Sequence, residues 1–223
     1  VGKGFMPSVA LIDYELTISL PKRATADTGI DALTHAMEAY VSKKANPYSD
    51  TQALAAMQLI APNLRRVYHN GNDKEARKKM MLGATLAGVA FSNASVALVH
   101  GMSRPIGAFY HVPHGLSNAM LLPAVTEYSI PAATKRYADC SRVMGVALPS
   151  DSDEDANQKL LLELSAINEE LDVPTPKEFG INKEDFMNNM EIMAEQAIAS
   201  GSPGNNPRVP EVHEIIDIYK LLW

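Results

Sequence analysis

In the segment TADTGIDALTHAMEAY, residues 25–40, a carboxylate and an imidazole stand four residues apart among small and apolar neighbours. On a helix that spacing puts Asp31 and His35 on one face. They can bond to each other, or both can hold a metal ion. His100 closes the apolar stretch SVALVH, and His114 sits in VPHG at a predicted helix start. The chain between them holds glycines and prolines enough to fold back and bring both imidazoles to one point. Burying one carboxylate and three imidazoles unpaired would be costly. Neutral imidazole suits Fe(II), Zn(II) and similar ions, and one carboxylate offsets part of a dication's charge. Spacing alone therefore leaves two readings: a metal site made of Asp31, His35, His100 and His114, or a helical ion pair beside core histidines. His69, in RRVYHNGND, and His213 lie in polar surroundings and read as surface residues.

The elements that must carry these residues are helical in pattern, with apolar positions recurring at three and four residues. Helices are predicted for about 26–42 and, capped by Ser49, for DTQALAAMQLIAPNLRRVYH as far as Asn70-Gly71. A third begins after Asp73, in KEARKKMMLGATLAGVAFSNA. The next segment is expected to be broken by Gly101, Pro105 and Gly107, and the one starting near PHGLSNAMLL to be kinked or split at Pro123. Later helices are read in AATKRYADCSRVMGV, KLLLELSAINEELDV, NKEDFMNNMEIMAEQAIAS and EVHEIIDIYKLLW. The fold class is all-α, a multi-helix bundle of about seven to nine helices behind a short N-terminal extended arm. In that arm Val9 to Ile12 read as a buried strand with no sheet to join. We read residues 1–20 as an arm left from a missing N-terminal domain and 21–223 as the helical domain.

The 223 residues are 46% hydrophobic and 21% charged, ample for a core. A net charge of −6 speaks against nucleic acid, and no apolar run reaches the ~18 residues of a membrane span. The single cysteine, Cys140, excludes a disulfide framework or cysteine-rich metal site within the chain and fits a cytoplasmic setting.

The stretches TADTGIDALTHAMEAYVS, LVHGMSRPIGAFYHVPHGLSNAMLLP and NNPR resemble the C-terminal helical domain of the iron-containing alcohol dehydrogenases, over essentially the whole chain. The resemblance implies a dehydroquinate synthase-like helical domain. It implies metal ligands in a G-x-D-A-x-x-H helix and in two further histidine motifs, which fall here on Asp31, His35, His100 and His114. It also implies Fe(II) or zinc as metal, NAD or NADP bound mainly by a preceding dinucleotide-binding domain, and a primary alcohol or aldehyde as substrate. A homo-oligomer is implied too. The segment DYELTISLP corresponds to one that touches the cofactor in relatives, which makes Leu16 and Thr17 candidate nicotinamide contacts. Many relatives read H-P-L-G where this chain reads R-P-I-G. Arg104 thus replaces a histidine near the nicotinamide; it stays charged and can hold an anionic group but cannot act as a base. His111 is then the candidate for proton transfer, and Phe109 and Met102 are expected to wall the substrate pocket.

Two other functions fit the residues. A carboxylate with three imidazoles and an open position could activate water in a helical metal-dependent hydrolase, for which Glu38 is the nearest extra carboxylate. Glu38 reads more simply as a group behind the ligands or on the helix surface. A non-catalytic oligomerisation module, with Asp31–His35 as a structural pair, is the third reading.

Overall fold

The computed structural model describes residues 7–223, so the first six residues of the predicted arm lie outside the described residues. Ten α-helices follow one another among the described residues: α1 (Lys22–Val41), α2 (Pro47–His69), α3 (Lys74–Ala94), α4 (Leu98–Tyr110), α5 (His114–Ser129), α6 (Thr134–Val143), α7 (Asp153–Glu170), α8 (Pro176–Phe179), α9 (Lys183–Ala199) and α10 (Val212–Lys220). The all-α expectation holds. The element beyond the predicted number is α8, a single turn set by Pro176 and a Thr175–Glu178 capping box.

The N-terminal arm is present from residue 7, but without the buried strand expected in it. Val9 and Leu11 are exposed and no strand forms among the described residues. Residues 7–13 are irregular and lead into a 3₁₀ turn, Tyr14–Thr17, lying against α3. A short apolar run with no partner strand among the described residues has no ladder to join.

Fourteen of the twenty residues of α1 are buried, which makes it the central helix. It packs on α2 and α3 along one side and on α5, α6 and α4 along the other. Ile30, Leu33 and Met37 are completely enclosed; each such side chain contributes roughly 1.5–3 kcal/mol by leaving water. The N-cap of α2 is Asn46 rather than Ser49, with Ser49 closing the reciprocal half of the capping box.

The predicted breaks do not occur. α4 runs unbroken through Gly101, Pro105 and Gly107, and α5 through Pro123. Proline forfeits one helical hydrogen bond. In α4 that loss is outweighed by packing, with Leu98, Val99, Met102, Pro105 and Ile106 all buried against neighbours that include α5 and α9. Ser95, at φ +67°, ends α3, and α4 leaves at 104° to it. Among the described residues no single helix is long and apolar enough to cross a membrane. The turn after α3 brings the start of α4 to Glu38, near the C-terminal end of α1.

Candidate metal centre

α1 presents Asp31, His35 and Glu38 along one stripe, at positions i, i+4 and i+7. The start of α4 meets this stripe. Its N-cap, Ala97, has no side-chain oxygen, so α4 lacks a cap of its own. Glu38 supplies one from α1: its carboxylate accepts the N–H groups of Ala97 at 2.9 Å, Val99 at 2.6 Å and His100 at 3.4 Å. The same carboxylate accepts from Nδ1 of His100 at 2.6 Å. His100 is thereby held with Nε2 facing Asp31. At the far end of α4 the left-handed residue His111 (φ 55°) reverses the chain, and α5 begins with His114.

Asp31 is the hub. Its Oδ1 lies 3.3 Å from Nε2 of His100, 3.8 Å from Nε2 of His114 and 3.9 Å from Nε2 of His35. One ligand atom from each of Asp31, His100 and His114 falls within 4.8 Å of the others. Ligands 2.0–2.2 Å from a tetrahedral ion stand about 3.4 Å apart, so these spacings suit a shared cation with little movement. His35 stands at the edge of the cluster, its ring stacked between Phe91 and His100 at centroid separations of 4.4 Å each.

The Asn118 amide, one turn along α5 from His114, lies in the middle of the group. Its Nδ2 is 2.6 Å from Asp31 Oδ1, 3.2 Å from His114 Nε2 and 3.3 Å from His100 Nε2. Its Oδ1 is buried without a partner. The donor set and this orphaned amide oxygen both fit a cation, which would take over from the amide the task of satisfying Asp31 and the imidazoles.

Charge follows the geometry. Burial alone would pull the basicity of His100 down, but Glu38 and Asp31 outweigh it and push it up to about 9. Burial and the neighbouring His100 push His35 down to about 4, against the pull of Asp31 and Glu38. Burial also lowers His114, with His100 and Arg104 adding to the effect. Burial would raise Asp31; hydrogen bonding to His100 and the three imidazoles reverse it and hold it low. Metal-free, the cluster takes positive charge as a proton on His100. The side chains of His100 and His114 are 4% and 50% exposed, so the centre opens on the His114 side.

The remaining predicted residues stand apart from the cluster. His111 forms the left-handed turn, and its exposed side chain makes no hydrogen bond or ion pair among the described residues. Arg104 is exposed one turn after His100 on α4 and donates from Nη1 to Ser202 Oγ at 3.1 Å. Leu16 is exposed, while Thr17 donates to the Tyr14 carbonyl and borders a recess with Thr28 and Ala32 of α1 and Arg77 of α3. None of the four ligand candidates lines that recess. Met102 is a correction: it is fully buried, its carbonyl accepting from Tyr219 at 2.7 Å, and Phe109 packs partly buried against the core. The apolar face of α4 carries Met102 inward, away from the opening.

Two residues in contact with the cluster, Glu38 and Asn118, stand outside the ligand set expected from the sequence. The signal for Glu38 was its seven-residue spacing from Asp31, and for Asn118 its four-residue spacing from His114.

Residues 25–223 match the C-terminal part of the Fe-containing alcohol dehydrogenase family. Among curated relatives, the 1,3-propanediol dehydrogenase of Klebsiella pneumoniae is 39% identical over 216 residues, which is 96% of this chain and 55% of that protein. The lactaldehyde reductase of Escherichia coli K12 is 37% identical, over 98% of this chain and 56% of its own length. Of solved structures, a 1,3-propanediol oxidoreductase superposes with a TM-score of 0.92 at 37% identity, covering 98% of this chain and 56% of the other. The chain thus spans about half the length of the relatives it matches.

Proposed function

This chain belongs to the iron-containing alcohol dehydrogenase family, as its C-terminal domain, and from that premise we propose that it carries the catalytic-metal half of an NAD(P)-dependent dehydrogenase acting on a primary alcohol or aldehyde. The observation that carries the reading is the convergence of Asp31, His100 and His114 from three helices on one point, with His35 beside them. We assign the metal to Asp31, His35, His100 and His114, as Fe(II) or, with the same nitrogen and oxygen donors, zinc. Such an ion, when bound, polarises the substrate oxygen and eases alkoxide formation, which favours hydride transfer to nicotinamide.

The chain's own residues have distinct tasks. Asp31 and the three imidazoles hold the ion and leave access on the side of the exposed His114. Asn118 orients the Asp31 carboxylate. Arg104 has no acidic partner among the described residues and sits close enough to disfavour charge on His114. It is assigned to an anionic group of cofactor or substrate. His111, exposed three residues before His114, is assigned proton exchange with solvent. NAD or NADP is held chiefly by a dinucleotide-binding domain preceding these residues, with Leu16 and Thr17 offered to the nicotinamide side. The enzyme acts as a homo-oligomer in a reducing, cytoplasmic setting suited to the free thiol of Cys140.

Elemental analysis of anaerobically purified, iron-supplemented protein tests the assignment. Near-stoichiometric iron or zinc is expected in the wild type, with loss of tight retention in His100→Ala and in His114→Ala. Full metal content in both variants would refute it.

A further inference from the structure

We propose that Glu38 is the positioning residue that delivers His100 to the metal, acting through the imidazole and through the helix that bears it. The inference rests on the metal reading above and adds to it a residue with no ligand role. Glu38 is 4% exposed, on α1 one turn beyond His35. A buried carboxylate needs partners, and all four found here belong to residues 97–100: three backbone N–H groups and Nδ1 of His100. No lysine or arginine pairs with it among the described residues.

Two consequences follow from this geometry. First, the carboxylate caps α4 in place of the missing side-chain cap at Ala97, and its charge suits the positive end of that helix. The start of α4, and with it the backbone of His100, is registered against α1. Second, the 2.6 Å contact fixes the Nδ1–H end of the ring, so that Nε2 is the atom turned to Asp31. A histidine held this way is both oriented and made a stronger donor, and loss of such a partner typically weakens metal binding 10–100-fold. In Glu38→Gln one oxygen becomes an NH₂ facing N–H groups, so the cap and the His100 contact cannot both survive.

The test measures Zn(II) and Co(II) dissociation constants for the 223-residue wild type and Glu38→Gln, with thermal unfolding of both metal-free proteins, and ¹H–¹⁵N spectra of the zinc-loaded wild type. Weakening of at least tenfold in a folded Glu38→Gln is expected. The wild-type spectrum is expected to show His100 bound through Nε2, with a downfield Nδ1 proton protected from solvent exchange. A Glu38→Gln that loses thermal stability yet binds metal within twofold of wild type would reduce Glu38 to a helix cap and overturn the proposal. Should the variant not fold, the wild-type spectrum decides: an Nδ1 proton exchanging freely with solvent, or coordination through Nδ1, overturns it. A wild type that binds neither metal defeats the metal reading itself, and the positioning role with it.

Discussion

Gly115 follows His114 in α5, which packs on α1. A Cβ built there would lie 2.4 Å from the Asp27 carbonyl oxygen and 2.7 Å from its carbon. Ordinary contact begins near 3.4 Å, so in Gly115→Ala the two helices must part by about 1 Å. Helix preference works the other way, favouring alanine by up to ~1 kcal/mol. Overpacking costs about 1–3 kcal/mol where side chains can adjust, and here the obstacle is backbone, which cannot rotate away. The clash therefore wins, with a net loss of roughly 1–2 kcal/mol. At about 2–4 °C per kcal/mol for a chain of this size, Tm falls by roughly 2–8 °C. The parting also separates the hub from one of its partners, since Asp31 lies one turn after Asp27 and His114 adjoins Gly115. Zinc affinity is expected to drop at least tenfold. Gly88→Ala is the control: nothing lies within 4 Å of its added carbon, so it should be neutral or gain up to ~1 kcal/mol. A Gly115→Ala protein as stable as wild type with unchanged zinc affinity would refute the argument.

Asn118→Asp replaces a donor 2.6 Å from Asp31 by a second carboxylate. The metal-free variant should lose ~1–3 kcal/mol at neutral pH, and zinc should raise its Tm by more than it raises the wild type's; equal metal-free stability would count against Asn118 as a donor to Asp31. Cys140 is fully enclosed, and burial pushes its thiol well above the ordinary range, so Ellman's reagent should label it only after unfolding, with prompt labelling of native protein contradicting this packing.

Much of this architecture was legible because its signals are local. The four-residue spacing of Asp31 and His35 on an apolar helix, and the two histidines flanking a segment of glycines and prolines, singled out the cluster before any coordinates. Signals that depend on what an element packs against were misread. Pro105 and Pro123 suggested breaks because propensity counts the lost hydrogen bond and not the burial of Ile106 or Leu121 around it. Val9 to Ile12 suggested a strand because an apolar run cannot say whether a neighbouring strand exists. Glu38 was undervalued because its partners are backbone amides near residue 98, sixty positions away, and an amide leaves no mark in the residue types.

Charge distinguishes the metal reading from the simpler one of a helical ion pair beside core histidines. Glu38 takes hydrogen bonds from four N–H groups, and Asp31, against its burial, is held low by its imidazole neighbours. Two carboxylates therefore meet in a largely buried cluster, where negative charge is expensive unless balanced. The ion-pair reading supplies one proton, on His100; His35 adds no second one, because burial and His100 keep it neutral down to about 4. A divalent ion held by Asp31 and neutral imidazoles would offset both carboxylates. An ion pair would have needed neither Glu38 nor three imidazoles drawn from three different helices.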